Sequence, residues 1–243
     1  MPENSQDWLV MHRVVFKEKI NGNGKPFPGP DGADAWRFYP ASPTGPDGMR
    51  TNISREWGGI GIYTSRDAAE AVYASPAEHL TFLDQTTEQW HALLVPYAHR
   101  GRVNWRGGVR DETSFTTAAT DPGGPLLVLT SAGYENPGPG DVKRIKNFLE
   151  QVDNVVDFYA SLPSNIRRAV YSGVGVEQID GMTVSLWEND AAMMQAAYRP
   201  GLHKEQMDFH RNYDHFDRSS FTRTRILESK GTWDGSDPVA QMS

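Results

Sequence analysis

The sequence predicts an α+β fold in which two ferredoxin-like units in one chain form a duplicated α/β barrel. Two observations point to it. Strand-like runs rich in β-branched and aromatic residues recur along the chain, and each half presents its elements in the same order: a strand, a helix, then further strands. The halves are not visibly similar residue by residue, so the repeat lies in the element order alone. The chain, 1–243, reads as a single barrel domain with halves at about 8–118 and 125–235 and a Gly/Pro-rich loop at 22–48.

The first strand is WLVMHRVVFKEKI, Trp8 to Ile20, which runs up to the turn signal Asn21-Gly22. From Gly22 to Gly48 the chain is crowded with Gly, Pro and Asp and is too poor in periodic apolar residues for a helix or a central strand. A loop of that length, carrying Trp36, Phe38 and Tyr39, is expected to pack over a pocket as a functional lid. Gly58 to Ser65 reads as a strand, with Ser65 as N-cap of the short helix RDAAEAVYAS, and a second short helix follows in PAEHLTFLDQ. Gln89 to Gly101 is a strand that enters the polar, Gly-rich GRVNWRGG.

The second half opens with a strand from Pro125. A long amphipathic helix then begins near Asp141, with Val142, Ile145, Phe148, Leu149, Val152, Val155, Val156 and Tyr159 at helical spacing. Ala169 to Val176 and Met182 to Trp187 pair around a turn at QIDG, helical segments cover about Asn189 to Asp217, and FTRTRILESKG closes the sheet.

Composition narrows the function. With 24 Lys+Arg against 31 Asp+Glu, a net charge of −7 and no basic stripe, nucleic acid is not expected as a partner. The absence of cysteine removes disulfides, thiolate nucleophiles and thiolate metal ligands from the inventory. The first residues, MPENSQDWLV, lack a signal-peptide pattern, and no stretch approaches the ~20 apolar residues that span a bilayer. A cytoplasmic protein without membrane insertion is the expectation, and a mean hydropathy of −0.58 offers no membrane-docking surface. No G-x-S-x-G elbow, P-loop or Rossmann fingerprint occurs.

One segment stands out, AAYRPGLHKEQMDFHRNYDHF. Taken as a helix after Pro200, it places His203, Met207, His210 and Asp214 on one stripe, with Leu202, Phe209, Tyr213 and Phe216 on the neighbouring face. His203 therefore sits at the border of the buried side. Spacing alone leaves two readings open, a ligand-facing imidazole and a hydrogen-bonded boundary residue. A zinc site is disfavoured, because the histidines are seven residues apart with no third ligand nearby in sequence.

The last third of the chain resembles the spheroidene monooxygenase (carotenoid ketolase) family. The residues that carry the resemblance are Gly173 and Gly175, Val184 to Trp187, Ala192 with Met193, His203, Arg211 eight residues later, and Gly231 to Gly235. EQWHALLVPYAHRGRVNWRGG is a fainter echo. The chain departs from the family at His215-Phe216 and Arg218-Ser219, where the family usually carries Trp-Phe and two glutamates. The resemblance implies a haem protein of the dimeric α/β-barrel type. The same barrel is similar to that of aldoxime dehydratases, whose proximal haem ligand is the His at the start of a matching helix. Carried over, that ligand is His203, and Met207, Trp187 and Arg211 fall to the cofactor site.

Haem b is thus the implied cofactor, and haem iron the implied metal. Arg223, Arg225, Arg102 and His12 are the candidates for catalytic roles on the distal face, with Trp105 and Arg106 nearby in sequence. A guanidinium there would stabilise charge that develops on a breaking bond. The implied activity is a haem-dependent monooxygenase acting on a small specialised-metabolite substrate, with an electron donor. The alternatives are an aldoxime dehydratase-like lyase acting on an N–O substrate and a haem-binding barrel without turnover. A homodimer is compatible with each.

Overall fold

The computed structural model describes residues 6–22, 27–41, 43–103, 105–106, 115–135, 137–174, 178–198, 217–240 and 242. Its elements are β1 (Trp8–Asn21), β2 (Ala35–Pro40), β3 (Ile53–Tyr63), α1 (Arg66–Ala74), α2 (Pro76–His79), β4 (Thr86–Gly101), β5 (Leu126–Glu135), α3 (Val142–Ala160), β6 (Asn165–Val174), β7 (Gln178–Trp187), α4 (Asp190–Tyr198) and β8 (Arg218–Gly231). A 3-10 turn, Thr81–Gln85, joins α2 to β4. None of the described helices is long and apolar enough to cross a membrane.

All eight strands form one antiparallel sheet in the order β2-β3-β1-β4-β8-β5-β7-β6. Outward from the central β4–β8 pair the order is β4, β1, β3, β2 on one side and β8, β5, β7, β6 on the other. The connection order is therefore the same in both directions. The sheet curls until its edges β2 and β6 come together without a ladder, so the barrel is nearly closed. Tyr39 of β2 lies on Gly173 of β6, where an added Cβ would fall 2.6 Å from the ring.

The barrel interior is a solid core. Leu9, Met11, Trp90, Leu94, Leu127 and Val184, with Trp233 from the chain's end, belong to one buried cluster that spans both halves. Side chains on the opposite faces of the same strands meet the helices. Val10 and Leu93 pack under α1 through Ala69, Val72 and Tyr73, while Val14 and Phe16 meet Leu80, Phe82 and Leu83. Burial on both faces explains why β1 reads as an almost unbroken apolar run and not as an alternation. Ser65 caps α1 as its sequence indicates, its Oγ accepting from Ala68 N at 3.3 Å. The helix ends at Ser75, since the Pro76 that follows disfavours helical geometry in the residue before it.

Two local expectations are corrected. Residues 22–48 are not all loop, because Ala35–Pro40 forms the edge strand β2, paired with β3. An edge strand tolerates flanking Gly and Pro that a central strand would not, which is why breaker density misled. Trp36 and Phe38 stack at 5.3 Å and join an aromatic cluster with Phe27, Trp57 and Phe82, so they finish the sheet instead of covering a pocket. Second, QIDG is not a turn: Gln178 to Gly181 are the first residues of β7, and β6 ends at Val174.

Candidate functional site

A cavity of about 500 Å3 lies outside the barrel, between α3 and the outer face of the second half of the sheet. Register explains why it exists. Across the strands β4, β8, β5, β7 and β6, one row on that face runs Arg100, Phe221, Thr130, Thr183, Val170. The next row runs Ser219, Ala132, Gly181, Ser172. All nine residues line the cavity. Where a helix packs on a sheet, such positions normally carry branched apolar side chains that fill the gap. Here small ones leave the floor low and flat, and Thr130 is exposed in the middle of the sheet.

The roof is the apolar stripe of α3, including Ile145, Phe148, Leu149, Val152, Val155 and Tyr159. Its ends are buried at Ile145 and Tyr159, whereas Val152 and Val155 in the middle are only half-buried. The space closes where the floor becomes bulky. Leu126, Val128 and Trp187 fill the region under Tyr159 together with Met193 of α4, and Trp187 meets Tyr159 edge-on at 4.9 Å. At the other end stands Tyr134, with the Arg144 guanidinium 4.9 Å over its ring. Burial pushes its phenol well above the usual tyrosine range, and Arg144 opposes the shift. Tyr134 Oη, Ser172 Oγ and Gln151 Oε1 are buried polar atoms of the lining without a hydrogen-bond partner among the described residues.

Beneath this end of the cavity lies a buried carboxylate, Asp180, only 2% exposed. Its Oδ2 accepts from Tyr39 Oη at 3.0 Å and from Trp105 Nε1 at 2.9 Å. Arg218 Nη2 approaches Oδ1 at 3.1 Å, and Arg37 Nε lies 3.6 Å from Oδ2. Two glycines make room for the partners. Asp180 is paired across the ladders with Gly133 and Gly173, and an added Cβ at Gly133 would lie 2.5 Å from Arg218 Nη2.

Segment 43–50, which begins in the loop expected to act as a lid and runs just past it, reaches this region. Thr44 Oγ1 donates to Asp153 of α3 at 2.5 Å, Arg50 pairs with the same carboxylate, and Met49 packs in the cluster of Tyr134, Ile145 and Leu149. It braces the roof helix from outside.

The residues singled out from sequence fare differently. His203, Met207 and Arg211, with His210 and His215, lie outside the described residues. Trp187 is buried beside the closed end of the cavity, its Nε1 donating to Ser185 Oγ at 2.9 Å. Arg223 and Arg225 share the outer face of β8, one and two rows beyond Phe221, and neither lines the cavity. Both stack on Tyr97, at 5.1 and 4.4 Å, and both pair with Asp190, at 3.4 and 2.7 Å, while Arg225 also holds Asp121 at 2.6 Å. Arg102 sits beside the cavity mouth and donates to the Asp217 carbonyl at 3.3 Å.

Arg106 pairs instead with the buried Asp7, and Trp105 holds Asp180. His12 belongs to the other half of the sheet, fully buried, with Nδ1 2.8 Å from His91 Nδ1. Sequence reading missed Arg100, Thr130, Ala132, Gly181, Ser172 and Asp180. The signal was present in TSAGYE and DGMT, which put small residues at alternate positions of strands opposite an amphipathic helix. No group of three or more His, Cys, Asp or Glu side chains able to hold a metal ion occurs among the described residues.

No protein-family model matches the sequence, and no curated protein is similar to it, so the carotenoid-ketolase resemblance gains no support from either comparison. Solved structures are similar in fold. An anthrone oxidase-like protein covers 93% of both chains at 13% identity, with a TM-score of 0.32. An aldoxime dehydratase in complex with butyraldoxime covers 99% of this chain and 86% of its own at 10% identity, with a TM-score of 0.55. The chain thus has a nearly closed, eight-stranded antiparallel barrel of the α+β class, and it shares that fold over nearly its whole length with an aldoxime dehydratase.

Proposed function

We propose that the chain is a haem-dependent enzyme acting on a small, largely apolar substrate held between α3 and the outer face of the second half of the sheet. The observation that carries this reading is the cavity: a low floor of Ala132, Gly181, Thr130 and Thr183 under an apolar helix stripe suits a flat, mostly apolar group. No described lining residue is a histidine, and in this reading His203 would hold the haem iron. Residues 199–216 link Tyr198 of α4 to Asp217, and Ser219, two residues further on, lies in the cavity floor. Because the described chain resumes after Arg211 at the cavity floor, we assign His203, Met207 and Arg211 to the cofactor.

The matching strand order on the two sides of the β4–β8 pair supports reading the fold as two ferredoxin-like units, 8–118 and 125–235, in a single domain. In the first unit, the segment that joins β1 to β2 stands in the chain order where α3 stands between β5 and β6.

Bound haem iron would supply a Lewis acid for an N–O substrate or, with a reductant, a site for oxygen activation. The chain's own residues would exclude water through the α3 stripe and orient the substrate on the threonine floor. The likeness to a dehydratase solved with butyraldoxime supports the dehydratase as the alternative to the monooxygenase. The reading includes a cytoplasmic homodimer, with an electron donor for the oxygenase alternative.

Titration of the purified protein with hemin tests it. A Soret band at roughly one haem per chain is expected, lost in His203→Ala while far-ultraviolet dichroism is kept. Anaerobic conversion of butyraldoxime to a nitrile marks the dehydratase, and turnover that needs oxygen and a reductant marks the monooxygenase. A protein that binds no hemin overturns the reading, and one that binds it without turning over either substrate class is a haem-binding barrel.

A further inference from the structure

The mouth of the cavity carries a cation with no partner among the described residues. Arg100, near the end of β4, is exposed and stands next to Phe221 in the first floor row. It is the sole Lys or Arg among the described lining residues. No described residue forms a hydrogen bond or ion pair with its side chain. The acids around it are engaged elsewhere: Asp180 and Glu135 by Arg218, and Asp217 by Arg144. The other described arginines on this face of the sheet are occupied, Arg223 and Arg225 by Asp190, and Arg168 by Asn165 at 3.5 Å. In a chain with a net charge of −7, one uncompensated guanidinium at the rim of an apolar cavity sets where an anion can dock.

Resting on the cavity reading above, we infer that Arg100 is a carboxylate-binding group, and that the cavity takes an amphiphilic acid with its apolar body under α3 and its carboxylate on the Arg100 fork. The guanidinium offers two parallel donors that match a carboxylate, a pairing a lysine copies only as a point charge. The remaining polar lining is neutral or, at Asp180, already paired, so a cationic head finds no counter-charge there. The acid has two sources, a propionate edge of haem or the substrate itself.

Displacement of a neutral fluorescent probe, N-phenyl-1-naphthylamine, by decanoate and by decanol reads the inference in wild-type protein, Arg100→Gln and Arg100→Lys. Decanoate should compete about tenfold better than decanol in the wild type, the advantage should vanish in Arg100→Gln, and Arg100→Lys should restore part of it. Equal competition by acid and alcohol in the wild type, or an acid preference that survives in Arg100→Gln, overturns it.

A parallel Soret titration with hemin and its dimethyl ester separates the sources. If a propionate occupies Arg100, the ester binds more weakly in the wild type only, and hemin-loaded protein loses its preference for decanoate. If the substrate is the acid, that preference persists in hemin-loaded protein. A decanoate preference in a protein that binds no hemin upholds Arg100 and removes the haem reading, so the two fail separately.

Discussion

The phenol of Tyr39 on β2 reaches across the unpaired seam of the barrel, over Gly173 of β6, and donates to Asp180 of β7 at 3.0 Å. No ladder joins β2 to β6 among the described residues, so side chains close what the backbone leaves open. Tyr171 of β6 makes the complementary crossing, lying on Gly58 of β3 with its hydroxyl 3.3 Å from Glu56.

The seam gives a stability ranking. Asp180→Ala strands Arg218, whose side chain is 3% exposed, without its buried partner and should cost about 3–5 kcal/mol. Tyr39→Phe removes one hydrogen bond to a charged acceptor and should cost about 1.5–3 kcal/mol. Urea denaturation of both variants checks the order, and a larger loss in Tyr39→Phe would contradict it.

The brace on the roof helix gives a second test. Asp153 receives Thr44 and Arg50, and the Arg50 side chain is only 3% exposed while Asp153 is 39% exposed. Asp153→Ala should cost about 1–3 kcal/mol, discounted for the exposed partner. Amide exchange of α3 should accelerate while that of β1 and β4 does not. Unchanged α3 exchange would show that residues 43–50 do not hold the helix.

Filling the floor should separate the cavity from the fold. Ala132→Leu points an isobutyl group into existing space, so stability should hold or rise by about 1 kcal/mol. Binding of hemin and of the neutral probe should weaken at least about tenfold. A variant that binds both normally would move the ligand site away from the α3 side of the sheet.

Acid should weaken the first half through its buried histidines. Burial and then mutual repulsion with His91 hold His12 well below the usual imidazole range, and burial holds His91 down to about 4, with Lys230 adding to both. His99 is lowered too, mainly by burial. A depressed folded pKa means the unfolded chain binds more protons once the pH drops below about 6.5, so this stability is full above that value and is lost toward pH 4. Each such histidine contributes a slope of up to about 1.4 kcal/mol per pH unit. His91→Gln should flatten the fall in melting temperature between pH 6.5 and about 5. An unchanged slope would show that His91 is protonated in the fold.

Much of this architecture was legible in the residues, because secondary structure follows short-range chemistry. Ser65 announced α1, the spacing from Ile145 to Tyr159 announced α3, and β-branched runs announced β1, β4, β5 and β8. The same logic failed at β2, where breakers flank an edge strand held by an aromatic cluster drawn from distant elements.

The candidate ligand face was not legible, since it depends on register. Thr130, Ala132, Gly181 and Ser172 are ordinary small residues until antiparallel pairing lays them in adjoining rows under one helix. Pairing energy comes from contacts far apart in the chain, and a shift of one residue would have turned this face into the core. Sequence alone determined most of the elements, the amphipathic stripe of α3 and the exclusion of cysteine chemistry. Tertiary structure alone decided that the stripe faces a low floor, that Arg223 and Arg225 pair with Asp190, and that Arg100 stands at its edge without a partner among the described residues.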